Sequence, residues 1–195
     1  MYVKLNDQKI EVKNAQLYLG NMQIKNVDQI IGLDALRELK VLNLFNNQIP
    51  SIENLDPLIN LEKLNLYGNA IQEITGLDNL KNLKTLYLSN NHIKKIKGLN
   101  RLDKLEILSL EDNSIKKIEN LNHLRNLREL NLFGNSISDL EGLESLSKLG
   151  SLRIGENPIP DELLKKVGGI DNQGYARDPQ EWVQYCRINK PLNNG

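Results

Sequence analysis

A chain of 195 residues whose 25 basic and 25 acidic side chains give a formal net charge of zero has no overall electrostatic pull toward nucleic acid, membranes or acidic substrates. Its single cysteine, Cys186, excludes an intramolecular disulfide and points to a reducing, cytoplasmic setting. The Met1–Asp7 end has no apolar run after its charges, no N-x-S/T sequon occurs, and no apolar stretch approaches the ~20 residues of a membrane helix, so neither secretion nor membrane insertion is expected.

Residues 1–13 read as a β-hairpin, Tyr2–Leu5 against Lys9–Val12 around the turn Asn6-Asp7-Gln8, forming a charged cap over an otherwise open apolar end. Residues 14–38 form a degenerate first repeat, with Leu17 and Leu19 in the strand and Met22 where an Asn belongs. Leu17 to Leu42 spans 25 residues, and the three extra fall around Gln29-Ile30-Ile31.

From Leu39 the pattern L-x-x-L-x-L-x-x-N-x-I returns every 22 residues, restarting at Leu61, Leu83, Leu105, Leu127 and Leu149 and carrying Asn47, Asn69, Asn91, Asn113, Asn135 and Asn157. These regular repeats occupy 39–159. Each is a short strand followed by a return path with Ile or Leu every third residue, which is the 3₁₀ period and leaves no room for a long helix. The Asn column reads as structural: a buried amide both donates and accepts where the chain turns out of the sheet. Gly32, Asn54, Gly76, Gly98, Asn120 and Gly142 share one position, which calls for positive φ. Two residues on, Asp34, Asp56, Asp78, Asn100, Asn122 and Glu144 are expected to N-cap the following turn.

The period stops after Pro158 and Pro160. Residues 160–190 read as a helical cap: Asp161–Val167 closed by Gly168-Gly169, then a helix entered at Asp178-Pro179 whose inner side carries Trp182, Val183, Tyr185 and Cys186. Residues 191–195 are expected to fray. The whole chain thus reads as a single solenoid domain.

The repeating unit resembles the short leucine-rich-repeat subfamily typified by the leucine-rich regulatory subunit of protein phosphatase one. Its members also include an axonemal dynein light chain, the spliceosomal A-prime protein and bacterial internalins. The resemblance covers roughly residues 14–159. It implies an α/β repeat fold: a right-handed solenoid with a parallel concave sheet, a 3₁₀ or loop convex side and caps at both ends. It also implies a protein partner held on the concave face, as in a regulatory or adaptor subunit or a scaffold. With no signal peptide and no evident immunoglobulin-like segment read from the sequence, a secreted internalin is not the expectation.

Strand alternation turns the leucines inward and the residues between them outward. One outward row runs Tyr18, Asn43, Asn65, Tyr87, Ser109, Asn131, Arg153, and the next runs Gly20, Phe45, Tyr67, Ser89, Glu111, Phe133, Gly155. Aromatics here are not required by the fold and suit an interface. The candidate partner site is therefore Phe45, Tyr67 and Tyr87, flanked by Tyr18, Val41, Asn43 and Asn65, with Phe133 further along. Toward the C-terminus Glu111, Asp112, Glu129 and Glu156 turn the face acidic, with Arg153 as the exception. The competing explanation is cross-strand stacking that only stiffens the sheet.

Lys94, Lys95, Lys97, Lys116 and Lys117 line one edge, and a nucleic-acid-binding adaptor using that edge is the alternative function. No RNA-binding motif accompanies them, so a protein partner is expected rather than nucleic acid, and the isolated chain is expected to be a monomer. His92 and His123 occupy non-equivalent repeat positions without metal-ligand or triad spacing, Cys186 has no activating base, and no phosphate-binding glycine motif occurs. No enzyme, cofactor or metal is expected.

Overall fold

The computed structural model describes residues 1–190; the tail at 191–195 lies outside the described residues. Tyr2–Leu5 (β1) and Gln8–Glu11 (β2) pair antiparallel. Seven three-residue strands follow in one parallel sheet, ordered as in the chain: Gln16–Tyr18 (β3), Val41–Asn43 (β4), Lys63–Asn65 (β5), Thr85–Tyr87 (β6), Ile107–Ser109 (β7), Glu129–Asn131 (β8) and Ser151–Arg153 (β9). Each strand is in register with the next at the repeat spacing, as in Leu42↔Leu64 and Leu64↔Leu86. The repeat leucines and isoleucines, from Leu17 through Ile154, form one continuous buried column.

The Asn column works as a ladder. The Asn91 amide donates to the carbonyls of Leu66 and Leu88, and its oxygen accepts from the Ile71 amide. Asn69 and Asn113 repeat the pattern one unit away. In the degenerate repeat Asn47 compensates for Met22 by accepting from both the Met22 and Ile24 amides.

On the convex side the chain makes successive three-residue turns, such as Leu58 N to Leu55 O followed by Leu61 N to Leu58 O. The expected N-caps do not form. Asp56 lies inside the first of these turns rather than ahead of it, and its carboxylate accepts from Asn79 of the next repeat. A 3₁₀ helix occurs at Val27–Gln29, capped by Asn26 and Gln29.

The Gly/Asn column has φ between 58° and 88° throughout. At Gly98 (φ 70°) a Cβ would also run into the Ile74 carbonyl oxygen. Asn120 fills the equivalent place by donating its amide to the Ile96 carbonyl at 2.7 Å. Gly98→Ala is therefore expected to cost about 2 kcal/mol and Gly98→Asn clearly less, as read by urea denaturation. Equal losses would mean that backbone conformation does not control this site. A second positive-φ column, Asn46, Gly68, Asn90, Asp112, Gly134 and Glu156, escapes a sequence reading because its residue types are mixed.

Both ends are closed. The hairpin turn is two residues, Asn6-Asp7, with φ 47° and 65°, rather than three; Gln8 already pairs with Leu5. This places Val3 and Leu5 in the core. The three-residue insertion brings Ile31 to β1, where Lys4 and Ile31 exchange both backbone hydrogen bonds.

At the other end, Asp161–Lys166 (α1) leads through Gly168 to a return segment. Its Tyr175 pairs antiparallel with Arg153, and the Ala176 amide donates to the Leu152 carbonyl. Pro179–Ile188 (α2) starts at Asp178, which accepts from the Gln180 amide. It buries Trp182, Val183 and Cys186, while Tyr185 is half-buried. Burial pushes the Cys186 thiol up to about 11. The native protein is accordingly expected to resist thiol-specific disulfide reagents near pH 8 and to react at once in denaturant; fast native labelling would contradict the placement of α2.

Between repeats, the column Lys40, Glu62, Lys84, Glu106, Arg128 alternates in sign. Glu62 lies 2.8 Å from Lys84 and 3.4 Å from Lys40, and Arg128 lies 3.8 Å from Glu106. The hydrogen bond from Lys84, followed by that from Lys40, holds the Glu62 carboxyl below its ordinary value.

Candidate concave interface

The three-residue strands present two outward rows on the concave face, and the turn residue after each strand adds a third. Register places Gln16, Val41, Lys63, Thr85, Ile107, Glu129 and Ser151 in the first row, and Tyr18, Asn43, Asn65, Tyr87, Ser109, Asn131 and Arg153 in the second.

In the N-terminal half the aromatics share one face but not one environment. Tyr18 is 58% exposed, with its hydroxyl on Gln16 Oε1, and Tyr67 is 42% exposed. Phe45 is half-buried because its ring covers Gly20, where a Cβ would collide with it. Tyr87 is half-buried beside the Lys63 ammonium, 5.1 Å from the ring centre. Val41 borders Lys63 in the first row. Asn43 and Asn65 use their oxygens to accept the Phe45 and Tyr67 amides, so part of their polarity is spent on ending the strands.

The C-terminal half is not the open acidic surface that residue counting suggests. Arg153 lies 2.7 Å from Glu111, whose other oxygen accepts from Asn131, and it also donates to the Gln173 carbonyl. The guanidinium stacks 4.0 Å from the Phe133 ring centre and 5.6 Å from that of Tyr175. Glu111 is thus neutralised. Asp112 and Glu156 occupy the positive-φ turn column past the strands, which leaves Glu129 as the exposed strand carboxylate. Asn131 spends its oxygen on the Phe133 amide.

Sequence reasoning misses Tyr175. It lies beyond the last repeat, and the antiparallel pairing of its segment with β9, at Arg153 and through the Ala176 amide on the Leu152 carbonyl, brings it onto the concave sheet, 38% exposed. Together with Tyr87, Ile107, Ser109, Glu129 and Ser151 it borders a hollow of about 160 Å³. No side-chain pattern announces this, although the Gly174 preceding it marks a close approach: a Cβ there would press on Phe133.

The histidines stay apart in role. His92 is exposed, and His123 hydrogen-bonds the Leu99 carbonyl at 2.8 Å. Among the described residues no cluster of His, Cys, Asp or Glu could hold a metal ion, and no helix is long and apolar enough to cross a membrane.

The chain is similar to two internalins of Listeria monocytogenes. Against inlF it has 30% identity and a TM-score of 0.68, covering 75% of this chain and 43% of that one. Against internalin C2 (inlC2) it has 29% identity and a TM-score of 0.60, covering 75% of this chain and 74% of that one. The chain thus spans less than half the length of inlF. No curated protein sequence matches it. The family described as Leucine Rich repeats (2 copies) matches residues 37–79, 59–101, 81–123 and 125–166, which together take in most of the sheet. By its repeat unit, its asparagine ladder and these matches, the chain belongs to the leucine-rich-repeat family.

Proposed function

We propose that this chain is a non-enzymatic scaffold, an adaptor or regulatory subunit of the cytoplasm, that binds a protein on the aromatic part of its concave face. Leucine-rich-repeat proteins generally serve in protein–protein interaction. The observation that carries the reading is the exposure of Tyr18 and Tyr67 on a rigid sheet whose fold needs neither. Exposed aromatics that a fold does not use are typical interface anchors. A rigid array holding them in place lowers the ordering cost of docking. The regulatory assignment rests on the likeness of the 22-residue unit to the phosphatase regulatory subunit, a likeness that unit also shares with internalins.

The test compares wild type with Tyr18→Ala, Tyr67→Ala and Tyr87→Ala combined as bait, with retained proteins identified by mass spectrometry. Phe45 is left intact because its ring packs on Gly20. The expected result is a protein held by wild type and lost from the variant, with stability changed by no more than about 0.5 kcal/mol at each of the exposed Tyr18 and Tyr67 and by about 1 kcal/mol at the half-buried Tyr87. Identical retained sets would remove the concave face from consideration. A large loss of stability would mean that the tyrosines stiffen the sheet.

A further inference from the structure

The loops that follow β6 and β7 carry a second surface, remote from the concave rows in its chemistry. Lys94, Lys95, Lys116 and Lys117 line a groove of about 520 Å³ with Ser114 and Glu119. The two loops are fixed to each other, since the Ser114 amide donates to the Ile93 carbonyl at 2.9 Å. Lys94 stands one repeat from Lys116, and Lys95 one repeat from Lys117, so two pairs of cations occupy equivalent positions on neighbouring loops and line one groove.

This arrangement contrasts with the Lys40–Glu62–Lys84–Glu106–Arg128 column, where neighbouring repeats alternate in sign. Like charges on neighbouring repeats repel where opposite charges would attract. Lys117 has a carboxylate within reach, Glu141 at 3.6 Å, and the neighbouring Lys97 has Glu73 at 2.7 Å. Among the described residues Lys94, Lys95 and Lys116 form no ion pair, and all three are exposed.

We infer that this groove is a docking site for an acidic peptide segment of another protein, whose carboxylates pair with the lysines that form no ion pair within the chain. The basic surface is short. Glu73 borders it on the N-terminal side, Glu119 lies within it, and Asp139 and Glu141 follow in the next repeat. A nucleic-acid backbone needs phosphate contacts continued over many units and would meet these carboxylates, whereas two or three acidic side chains fit between them. No aromatic residue lines the groove, so it offers no platform on which bases could stack.

The experiment is fluorescence anisotropy with the full chain and two labelled probes of equal charge, a glutamate hexapeptide and a uridine oligonucleotide, at low and at high salt. The site variant is Lys94→Gln, Lys95→Gln and Lys116→Gln; the control variant, Lys25→Gln, Lys165→Gln and Lys166→Gln, removes the same charge elsewhere. Binding of the peptide is expected to weaken about tenfold in the site variant, as three exposed ion pairs each worth roughly two- to threefold would give. The control variant and the tyrosine variant of the concave face should keep wild-type affinity, which separates this site from the proposed interface. The site variant should melt close to the wild-type temperature, since the three exposed lysines it removes form no ion pair among the described residues. Equal weakening in both lysine variants, absence of peptide binding, or preference for the oligonucleotide would each overturn the inference, the last in favour of a nucleic-acid edge.

Discussion

Trp182→Ala is expected to lower stability by about 3–5 kcal/mol, as truncation of a fully buried aromatic typically does. For a chain of this size that corresponds to a drop in melting temperature of roughly 6–20 °C. Trp182 is fully buried on α2, and the helix is tied to the last repeat through Gln180 on the Leu149 carbonyl and to the repeat before it through Arg187 on the Glu144 carbonyl. Losing the side chain loosens the element that covers the final apolar layer, and in a stacked array that damage starts at the end. The amides of Ile154 and Ala176, which join β9 to the return segment, should therefore exchange first. Trp182→Phe provides a sharper test. The indole Nε1 is buried without a partner, so removing it offsets part of the lost volume, by about 1–2 kcal/mol. Trp182→Phe should then lie nearer wild type than a simple volume count suggests. Unchanged urea midpoints in both variants would show that α2 does not close the core.

What could be read from the sequence was whatever repeats. A 22-residue period fixes which residues stack, so the buried leucines, the asparagine ladder and the positive-φ column at Gly98 and Asn120 follow from columns alone. The entry to α2 is equally local, because Asp178 and Pro179 act within one turn. Contacts between distant segments were hidden. The insertion at Gln29-Ile30-Ile31 looked like simple irregularity, yet Ile31 is the residue that joins the hairpin to the array. The N-cap expectation failed at Asp56 because the residue lies inside the Leu55–Leu58 turn, where its carboxylate accepts from Asn79 of the next repeat instead of a turn amide.

For the candidate site, register decides more than residue type. Phe45 and Phe133 look alike in the sequence to exposed anchors, but each leans onto a glycine, Gly20 for the first and Gly155 for the second, and becomes half-buried. Tyr18 and Tyr67 have no such seat and stay exposed. The glycines were visible in the same column as the aromatics, so a reading that paired neighbouring repeats residue by residue would have found the seats. Likewise, counting acids gave a negative C-terminal half, whereas Arg153, placed two repeats on from Glu111 in the stack, closes that charge into a network with Asn131 and Tyr175.

Asn91→Asp is expected to cost about 3–5 kcal/mol at neutral pH and far less near pH 4, a dependence opposite to ordinary acid denaturation. Asn91 is 5% exposed and central in the ladder. Its oxygen accepts from the Ile71 amide at 2.9 Å, a role that a carboxylate keeps. Its amide donates to the Leu66 and Leu88 carbonyls, each at 3.0 Å, and there a carboxylate can only repel. The buried negative charge therefore raises the native pKa of the introduced acid above its unfolded value of about 3.9. Below that value the group is protonated in both states and can donate to one of the two carbonyls, so little stability is lost. Between the unfolded and native values the penalty grows by roughly 1.4 kcal/mol per pH unit. Asn91→Leu separates charge from hydrogen bonding. The Leu66 and Leu88 carbonyls keep their bonds from Asn69 and Asn113, so the group left unpaired is the Ile71 amide, at about 1–3 kcal/mol with no pH dependence. Urea midpoints of the two variants and wild type at both pH values decide the matter: a penalty for Asn91→Asp that does not shrink in acid would mean that water reaches the ladder and that its amides are not what ties one repeat to the next.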